Sequence, residues 1–400
     1  MALDGTQRRR QSPPPIDLVL LLTGRILRAF GFGFSAVILG IHLERRGLTP
    51  AEIGLTLTIG LLAAALSGLL AASLSRRFGR RPVLAGIGVG MALTGLALYA
   101  APNHMMLLLS GATGMLGGAG TDVGPFLAME QPMLAESVSP RRRNQAFARY
   151  SLVGSLAGAV GGLAATFAGG GPGLSWYFGL FALLGLATAA LPIFLSPQVE
   201  AARAATAPFQ LRPILSLAAL FGLDALGGGF IANAVIAYWL HARFGAGASI
   251  LGPTFAGIGL LQAVAYELSG RLADRIGLVN TMVFTHLPSN VLLLLIPFSP
   301  NLGWALILLL LRFSMSQMDV PARQAYIVSI VEPEHRAGAV ATTGAIRGLG
   351  QAVGPVLSGL AIQAALFGVP FFAGGALKIA YDLGLYAGFR GRRAEHEVQR

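Results

Sequence analysis

Ionisable residues interrupt the long apolar stretches of this sequence, where a charge needs an oppositely charged partner or a functional role. They include Arg28, Asp122, Glu130, Asp224 and Arg323. On insertion scales, a charged side chain at the centre of a membrane helix costs about 2.5–3.5 kcal/mol. A buried carboxylate next to an arginine can take up and release protons, and an arginine can bind an anionic group. These residues therefore indicate a proton-handling or anion-binding site, and the alternative is that they form structural ion pairs.

The composition is typical of a membrane protein. Of the 400 residues, 54% are hydrophobic and 12% are charged, and the mean hydropathy is +0.67. A soluble fold cannot bury such an apolar fraction. Stretches of roughly 20 apolar residues, the length that crosses a bilayer, begin near Ile16, Ala51, Pro82, Met105, Phe147, Leu174, Pro213, Ile250, Asn280, Trp304, Ala339 and Val369. We predict an all-α membrane protein with twelve transmembrane helices in two pseudo-symmetric six-helix bundles, residues 1–196 and 213–400, joined by a cytoplasmic linker, residues 197–212.

The positions of the arginines predict how the chain lies in the membrane. Basic loops alternate with loops that lack arginine, such as residues 101–104 and 299–303. Short loops rich in Arg or Lys stay on the cytoplasmic side. We therefore expect a multi-pass membrane protein with both termini in the cytoplasm. As separate expectations, the protein is a monomer and its lipid bilayer is a bacterial inner membrane.

Several kinds of chemistry have no motif in the sequence. The chain has no cysteine, its six histidines lack metal-ligand spacing, and there is no phosphate-binding P-loop. The net charge of +12 comes from dispersed basic residues without an interleaved aromatic platform, which argues against nucleic-acid binding. We expect no enzyme activity, no metal and no cofactor, and the energy for any transport must come from an ion gradient.

An internal repeat relates the ionisable positions to one another. Residues 26–34 align with residues 222–230 at an offset of 196, and residues 140–146 align with residues 333–339 at an offset of 193. Arg28 is then the mirror of Asp224, and Glu130 is the mirror of Arg323. Because pseudo-symmetry places equivalent positions around a central site, we expect these complementary charges to face one another across a cavity.

The candidate cavity residues are Arg28, Asp122, Glu130, Gln131, Asp224, Arg323 and Gln324. In our hypothesis Glu130, Asp224 or Asp122 carries a proton, and Arg28 or Arg323 controls it or binds an anionic group. Other charges are expected to be neutralised locally by the residue four positions away, Glu267 by Arg271 and Lys378 by Asp382.

A short charged turn also occurs twice. Residues 270–277 read G-R-L-A-D-R-I-G, and residues 72–79 are a degraded copy of them. The pattern G-x-L-A-D-R-x-G resembles the loop between helices 2 and 3 of major facilitator superfamily transporters, which is repeated between helices 8 and 9. The resemblance covers nearly the whole chain. It implies two six-helix bundles that rock about a central cavity lined by helices 1, 4, 7 and 10.

The same resemblance implies a cytoplasmic gate. Asp274 is expected to meet an arginine cluster at the start of helix 5, and Arg76 is expected to meet acidic residues at the start of helix 11. The predicted gate residues are Arg76, Arg77, Gly79, Arg141, Arg142, Arg143, Gly270, Asp274, Arg275, Gly277, Glu332 and Glu334. The alternative is that the arginines only set the topology of the chain.

Helix 11 carries one further motif. Residues 350–355 read G-Q-A-V-G-P and resemble the G-x-x-x-G-P motif of drug–proton antiporters, in which the motif belongs to helix 5. Small-residue packing is the alternative explanation. With the buried carboxylates, the motif favours a secondary active transporter that exports small organic molecules in exchange for protons. Arg25, Arg28 and Arg323 favour instead an organic-anion or metabolite permease, and a transporter-like receptor or assembly factor is a remote third alternative.

Overall fold

The computed structural model describes residues 15–118, 124–136, 143–169, 173–200, 215–329, 331 and 336–391. Five predicted site residues, Asp122, Arg141, Arg142, Glu332 and Glu334, lie outside this part of the chain, and Arg143 is described only by its helical backbone. The helices of the described part are α1 Pro15–Arg45, α2 Pro50–Phe78, α3 Arg80–Ala100, α4 His104–Leu109, α5 Pro125–Glu136, α6 Arg143–Ala164, α7 Gly173–Ala190, α8 Leu215–Phe230, α9 Asn233–Phe244, α10 Ala248–Ile276, α11 Leu278–Leu295, α12 Leu302–Met315, α13 Asp319–Ser329, α14 Arg336–Gln363 and α15 Val369–Phe389.

The prediction of an all-α membrane protein is confirmed. Ten helical segments of the described residues are long and apolar enough to cross a membrane. The pair α4 and α5 and the helix α15, which holds Lys378 and Asp382, complete the order expected for twelve segments. Large apolar side chains such as Leu70, Leu183 and Phe194 are more than half exposed on the outer surface, where lipid would cover them.

Three of these segments consist of two helices with a break between them. α4 ends at Leu109 and α5 begins at Pro125, α8 ends at Phe230 and α9 begins at Asn233, and α12 ends at Met315 and α13 begins at Asp319. Broken helices free backbone and side-chain polar groups in the interior of a membrane bundle, which is where transporters place their binding sites. The breaks therefore occur in the segments expected to line the cavity.

The repeated turn has the same geometry in both copies. Gly79 has φ +90° and Gly277 has φ +89°, a backbone region that favours glycine. The amide of each glycine donates 3.0 Å to the carbonyl four residues earlier, at Ser75 and Ala273. The two glycines therefore end α2 and α10 and begin α3 and α11 in the same way.

The two halves of the chain, residues 15–200 and 215–391, contact each other at the end of the helices far from Gly79 and Gly277. We call this contact region the distal junction. It pairs α2 with α14, α6 with α10, and α1 with α9. The Val356 amide donates to Thr58 Oγ1 (3.1 Å), and the Ala51 amide donates to Gln363 Oε1 (3.2 Å).

Candidate substrate and proton site

One cluster of buried charges lies in the N-terminal half. Arg28 of α1 contacts Glu130 of α5, with 2.5 Å between Nη2 and Oε2, and both side chains are at most 4% exposed. The Tyr150 hydroxyl of α6 donates to the same carboxylate oxygen at 2.6 Å. The Arg28 guanidinium stacks 4.0 Å from the centre of the Phe126 ring. We call Arg28, Glu130 and Tyr150 the N-terminal ion site.

A larger cluster lies in the C-terminal half and is centred on Asp224 of α8. Its Oδ1 binds Lys378 Nζ at 2.6 Å, and its Oδ2 binds Arg347 Nη1 at 2.8 Å and Arg323 Nη1 at 3.3 Å. Arg323 also binds Asp319, one turn earlier in α13, at 2.6 Å. We call these five residues the C-terminal ion site. Each of its three cations contacts a carboxylate, as burial of charge requires, although the site has only two carboxylates.

A second layer of polar residues lies behind Asp224. His286 Nδ1 of α11 is 2.8 Å from Asp382 Oδ1 of α15, and Asn290 Nδ2 donates to Asp382 Oδ2 at 2.8 Å. The other ring nitrogen of His286 is 3.8 Å from Asp224 Oδ1. The layer therefore approaches the C-terminal ion site at an oxygen atom of its central carboxylate.

The contacts observed for the mirrored charges lie within each half of the chain, so whether these charges also face one another across a cavity stays a prediction. Arg28 binds Glu130 within one half, and Asp224 binds Arg323 within the other. The repeat explains this result, because each half pairs its own helix-1-type position with its own helix-4-type position. The sign of the pair is reversed between the halves: the arginine is on α1 in the first half and on α13 in the second.

The prediction that Asp382 neutralises Lys378 is wrong. Lys378 turns toward Asp224 rather than toward Asp382, and Asp382 is held by His286 and Asn290. A buried helix can satisfy its charges on neighbouring helices, so a spacing of four does not decide their partners. The same spacing does pair Glu267 with Arg271 at 3.2 Å, where both side chains are more than 70% exposed.

The remaining predicted cavity residues have less defined environments. Gln131 follows Glu130 and is partly buried, whereas Gln324 follows Arg323 and is exposed. Sequence reasoning missed Tyr150, Asp319, His286 and Arg347 as members of the clusters. Asp319 had a usable signal, since it precedes Arg323 by four residues on one helix.

The turn of the first half carries a contact that the sequence analysis did not foresee. Glu200 accepts hydrogen bonds from the amides of Arg80 (2.6 Å) and Arg81 (3.1 Å), the first residues of α3. Arg80 Nη1 donates to the Val199 carbonyl at 3.1 Å. The residue that precedes the interdomain segment therefore caps the helix that follows the Gly79 turn.

We expect Glu200→Ala to lower stability by about 0.5–2 kcal/mol, because two amides at a helix start lose their acceptor. Thermal unfolding of the purified protein measures the loss, and hydrogen exchange should quicken at the first turn of α3. Glu267→Ala removes a carboxylate that is 71% exposed and serves as the control. Equal effects of the two changes would contradict the capping role.

The predicted gate is only partly described. Gly79 and Gly277 form their turns, Arg76 Nη2 donates to Ser73 Oγ at 3.3 Å, and the Arg77 guanidinium lies 5.1 Å from the centre of the Phe78 ring. A methyl group placed on Gly270 would meet no described atom within 4 Å, and Asp274 and Arg275 lie in the last turn of α10. The predicted partners of Asp274 and Arg76 lie outside the described residues, so the gate remains a prediction.

The distal junction contains a carboxylate that is held from the other half. Tyr238 of α9 donates to Glu44 Oε1 at 3.0 Å, and His241 Nε2 is 3.1 Å from Glu44 Oε2. His241 Nδ1 faces the Ala246 carbonyl at 2.9 Å and must donate a proton to it. Nε2 can then donate to Glu44 only if the imidazole is doubly protonated.

We therefore expect Glu44→Ala to favour an open distal junction. Tyr238 and His241 contact the Glu44 carboxylate from the other half, so the substitution removes contacts that exist only when the junction is closed. The effect should be about 0.2–1 kcal/mol for partners of this exposure. Electron–electron distances between spin labels at Met105→Cys and Leu366→Cys measure the effect, and an unchanged distance distribution in Glu44→Ala contradicts it.

Comparison with known proteins agrees with this architecture. The family model described as Major Facilitator Superfamily matches residues 21–227 and again residues 217–399. The chain is 24% identical over 436 residues to the uncharacterized membrane protein YJR124C of Saccharomyces cerevisiae, covering 96% of each chain. It is 26% identical over 364 residues to the tetracycline resistance protein, class G, of Vibrio anguillarum, covering 85% of this chain and 88% of that one.

Solved structures share the fold. The crystal structure of a D-xylose-proton symporter superposes with a TM-score of 0.72 at 15% identity, covering 93% of this chain and 96% of that one. The family model matches the chain twice, once in each half, in agreement with the internal repeat. The chain therefore belongs to the major facilitator superfamily and is a membrane transporter rather than an enzyme.

Proposed function

We propose that this protein is a proton-coupled secondary active transporter that exports small organic molecules by alternating access. The observation that carries the proposal is the pair of buried ion sites, one in each half, each containing a carboxylate that an arginine contacts. Placing such groups away from water costs free energy, and in transporters they mark substrate or proton pathways. An ion gradient supplies the driving force, since the sequence has no nucleotide-hydrolysing motif. The proposal takes protons as the coupled ion because the buried carboxylates can bind them.

Export rests on two similarities. One relative is a tetracycline resistance protein, and residues 350–355 on α14 resemble the antiporter motif. In the same proposal residues 1–196 and 213–400 form the two moving bundles, residues 197–212 link them, both termini are cytoplasmic, and the protein is a monomer in a bacterial inner membrane. The arginines next to the Gly79 turn support this orientation.

Within the proposal, Glu130 or Asp224 takes up the coupled proton, with Asp122 as a third candidate. An arginine and a hydroxyl both contact Oε2 of Glu130, so protonation of this carboxylate would weaken its contacts with Arg28 and Tyr150. Asp224 contacts three cations, so its protonation would release Arg323, Arg347 and Lys378 from their shared partner. Either event changes how helices of one half pack, which is the change that alternating access needs.

Reconstituted vesicles test the proposal. Tetracycline is the first probe, and a pH-sensitive dye inside the vesicles reports proton movement. A pH gradient should drive accumulation of tetracycline with counterflow of protons. At least one of the two variants Glu130→Gln and Asp224→Asn should lose this proton-coupled accumulation. Glu267→Gln is the matched control, because its carboxylate is 71% exposed and lies outside both sites.

A second candidate is an organic-anion permease, which one observation favours. Arg347 binds Asp224, yet its side chain is 28% exposed, so an anionic group could compete with Asp224 for it. Fluorescein, an anionic dye, is the probe for this candidate. Fluorescein uptake without gradient-driven movement of tetracycline would replace the exporter by the anion permease.

The gate remains part of the proposal. Asp274 with Arg141–Arg143, and Arg76 with Glu332 or Glu334, would close the cytoplasmic end when the distal junction opens. Arg76→Asp should reduce transport, and adding Glu332→Arg with Glu334→Arg should restore part of it. Lack of any restoration would contradict the pairing of Arg76 with these carboxylates.

A further inference from the structure

We propose that His286 and Asp382 form a proton-binding site behind the C-terminal ion site, linked to substrate through their contact with Asp224. The inference rests on the proposed function for its transport consequence, but the proton site itself can be tested without any substrate. The dyad belongs to neither ion site, and no sequence motif pointed to it.

The geometry of the imidazole defines where the proton binds. Nδ1 is 2.8 Å from a carboxylate oxygen of Asp382, so this nitrogen carries a hydrogen atom and donates it. Asn290 donates to the other oxygen of Asp382 at 2.8 Å and holds the carboxylate in place. Nε2 then has its lone pair directed to the side of Asp224, with 3.8 Å between Nε2 and Oδ1.

The site is enclosed by protein. His286 is 3% exposed, and Asn290 and Asp382 are 0% exposed. Carboxylate oxygens of Asp382 and Asp224 face the two ring nitrogens of His286, so each nitrogen has an acceptor on its own side of the ring. When the ring is doubly protonated, Nε2–H can donate toward Asp224 while Nδ1–H still donates to Asp382. No other proton has to move.

Positive charges near the dyad repel a proton added to His286. Titratable and charged groups around the dyad come from four neighbouring helices: Lys378 and Tyr381 on α15, Arg312 on α12, Asp319 and Arg323 on α13, and Arg347 on α14, in addition to Asp224 on α8. When His286 is neutral, the three carboxylates Asp224, Asp319 and Asp382 are accompanied by four cations, Arg312, Arg323, Arg347 and Lys378. Protonation of His286 adds one positive charge to this cluster.

The positive charge added by protonation of His286 couples the dyad to substrate binding. An anionic group that draws Arg347 away from Asp224 leaves the carboxylate with more negative charge toward His286 and favours uptake of the proton. A cationic group that approaches Asp224 has the opposite effect and favours release. By linkage, the proton changes substrate affinity by the same factor, so the same dyad supports symport of an anion or exchange for a cation.

Nitrogen NMR of protein labelled with ¹⁵N-histidine in lipid nanodiscs tests the proton site directly. The chain has six histidines, and the spectrum of His286→Gln assigns the signal of interest by its loss. Between about pH 8 and pH 5, the range in which histidine titrates, the His286 signals should change from one neutral tautomer to the doubly protonated ring. In Asp382→Asn the midpoint should move to lower pH by about one unit or more, a tenfold loss of proton affinity.

A His286 that stays neutral across this range in the wild-type protein would overturn the proposal. So would a titration that is the same in Asp382→Asn, because the ring would then titrate independently of its partner. His286→Gln serves only to assign the signal, and the titration itself is read from the wild-type protein, so a loss of stability in Asp382→Asn cannot hide the answer.

Transport separates this inference from the proposed function. With tetracycline as probe, His286→Gln should retain exchange of labelled for unlabelled probe across the vesicle membrane while losing accumulation driven by a pH gradient. A wild-type protein without gradient-driven movement would contradict the proposed function and leave the NMR result to decide the proton site. A coupled wild type with an equally coupled His286→Gln would contradict the role of the dyad in coupling.

Discussion

Asp224→Ala is expected to destabilise the protein by about 3–5 kcal/mol and to abolish transport, because removal of one partner of a buried ion cluster leaves the other charges uncompensated. Asp224 is 2% exposed and is contacted by Arg323, Arg347 and Lys378 at 2.6–3.3 Å. Without this carboxylate, Arg323, Arg347 and Lys378 would lose their shared partner and repel one another. The measurement is thermal unfolding of the purified protein, followed by transport in vesicles.

Asp224→Asn separates the structural effect from the functional one. The amide keeps the shape and one acceptor oxygen, so Asp224→Asn should retain more stability than Asp224→Ala while still losing the titratable group. Glu267→Ala is the matched control for carboxylate removal, since its pair with Arg271 is exposed and such pairs contribute at most about 1 kcal/mol. If Asp224→Ala is as stable as Glu267→Ala, the C-terminal ion site does not depend on its central carboxylate.

The second large effect is expected at the distal junction, where glycines let α2 and α14 approach closely. A Cβ atom on Gly54 would overlap the Pro355 carbonyl oxygen and lie 3.0 Å from Val356 Cα. A Cβ atom on Gly359 would overlap the Pro50 carbonyl oxygen and lie 3.1 Å from Gly54 Cα. Each of these neighbours is backbone, so it cannot move aside as a flexible side chain would.

Gly54→Leu should therefore force the two halves apart at this end. Overpacking of a tight contact costs about 1–3 kcal/mol. In the proposed alternating access the two halves move relative to each other at this contact, so this cost shifts the equilibrium between conformations by about 5–150-fold. The population with an open distal junction should rise, and transport should slow because the closed state is reached less often.

Distances between spin labels at Met105→Cys and Leu366→Cys follow the opening, since the chain has no natural cysteine that would take up label. Both positions are more than half exposed and belong to opposite halves. Gly86→Leu is the control, because a Cβ atom there meets nothing described within 4 Å. An unchanged distance distribution in Gly54→Leu would contradict the expected opening of the distal junction.

Much of the architecture followed from the sequence. The predicted helix starts lie within a few residues of the observed ones wherever the structure describes them, for instance Met105 against His104 and Asn280 against Leu278. The thickness of a bilayer sets the length of each apolar stretch, so the signal is local and strong. The repeated turn also followed from sequence, since a positive φ at Gly79 and Gly277 is a requirement of the backbone itself.

The partners of the buried charges were decided only by the tertiary structure. Arg28 and Glu130 are 102 residues apart, and Asp224 and Lys378 are 154 residues apart. The repeat related Arg28 to Asp224 but could not say which neighbour each would touch, and a spacing of four wrongly joined Lys378 to Asp382. The sequence by itself determined the helices, the turn and the positions of the charges, because these depend on each residue's near neighbours and on the membrane. Only the packing of the helices decided which charges meet, because that depends on how each helix is rotated about its own axis.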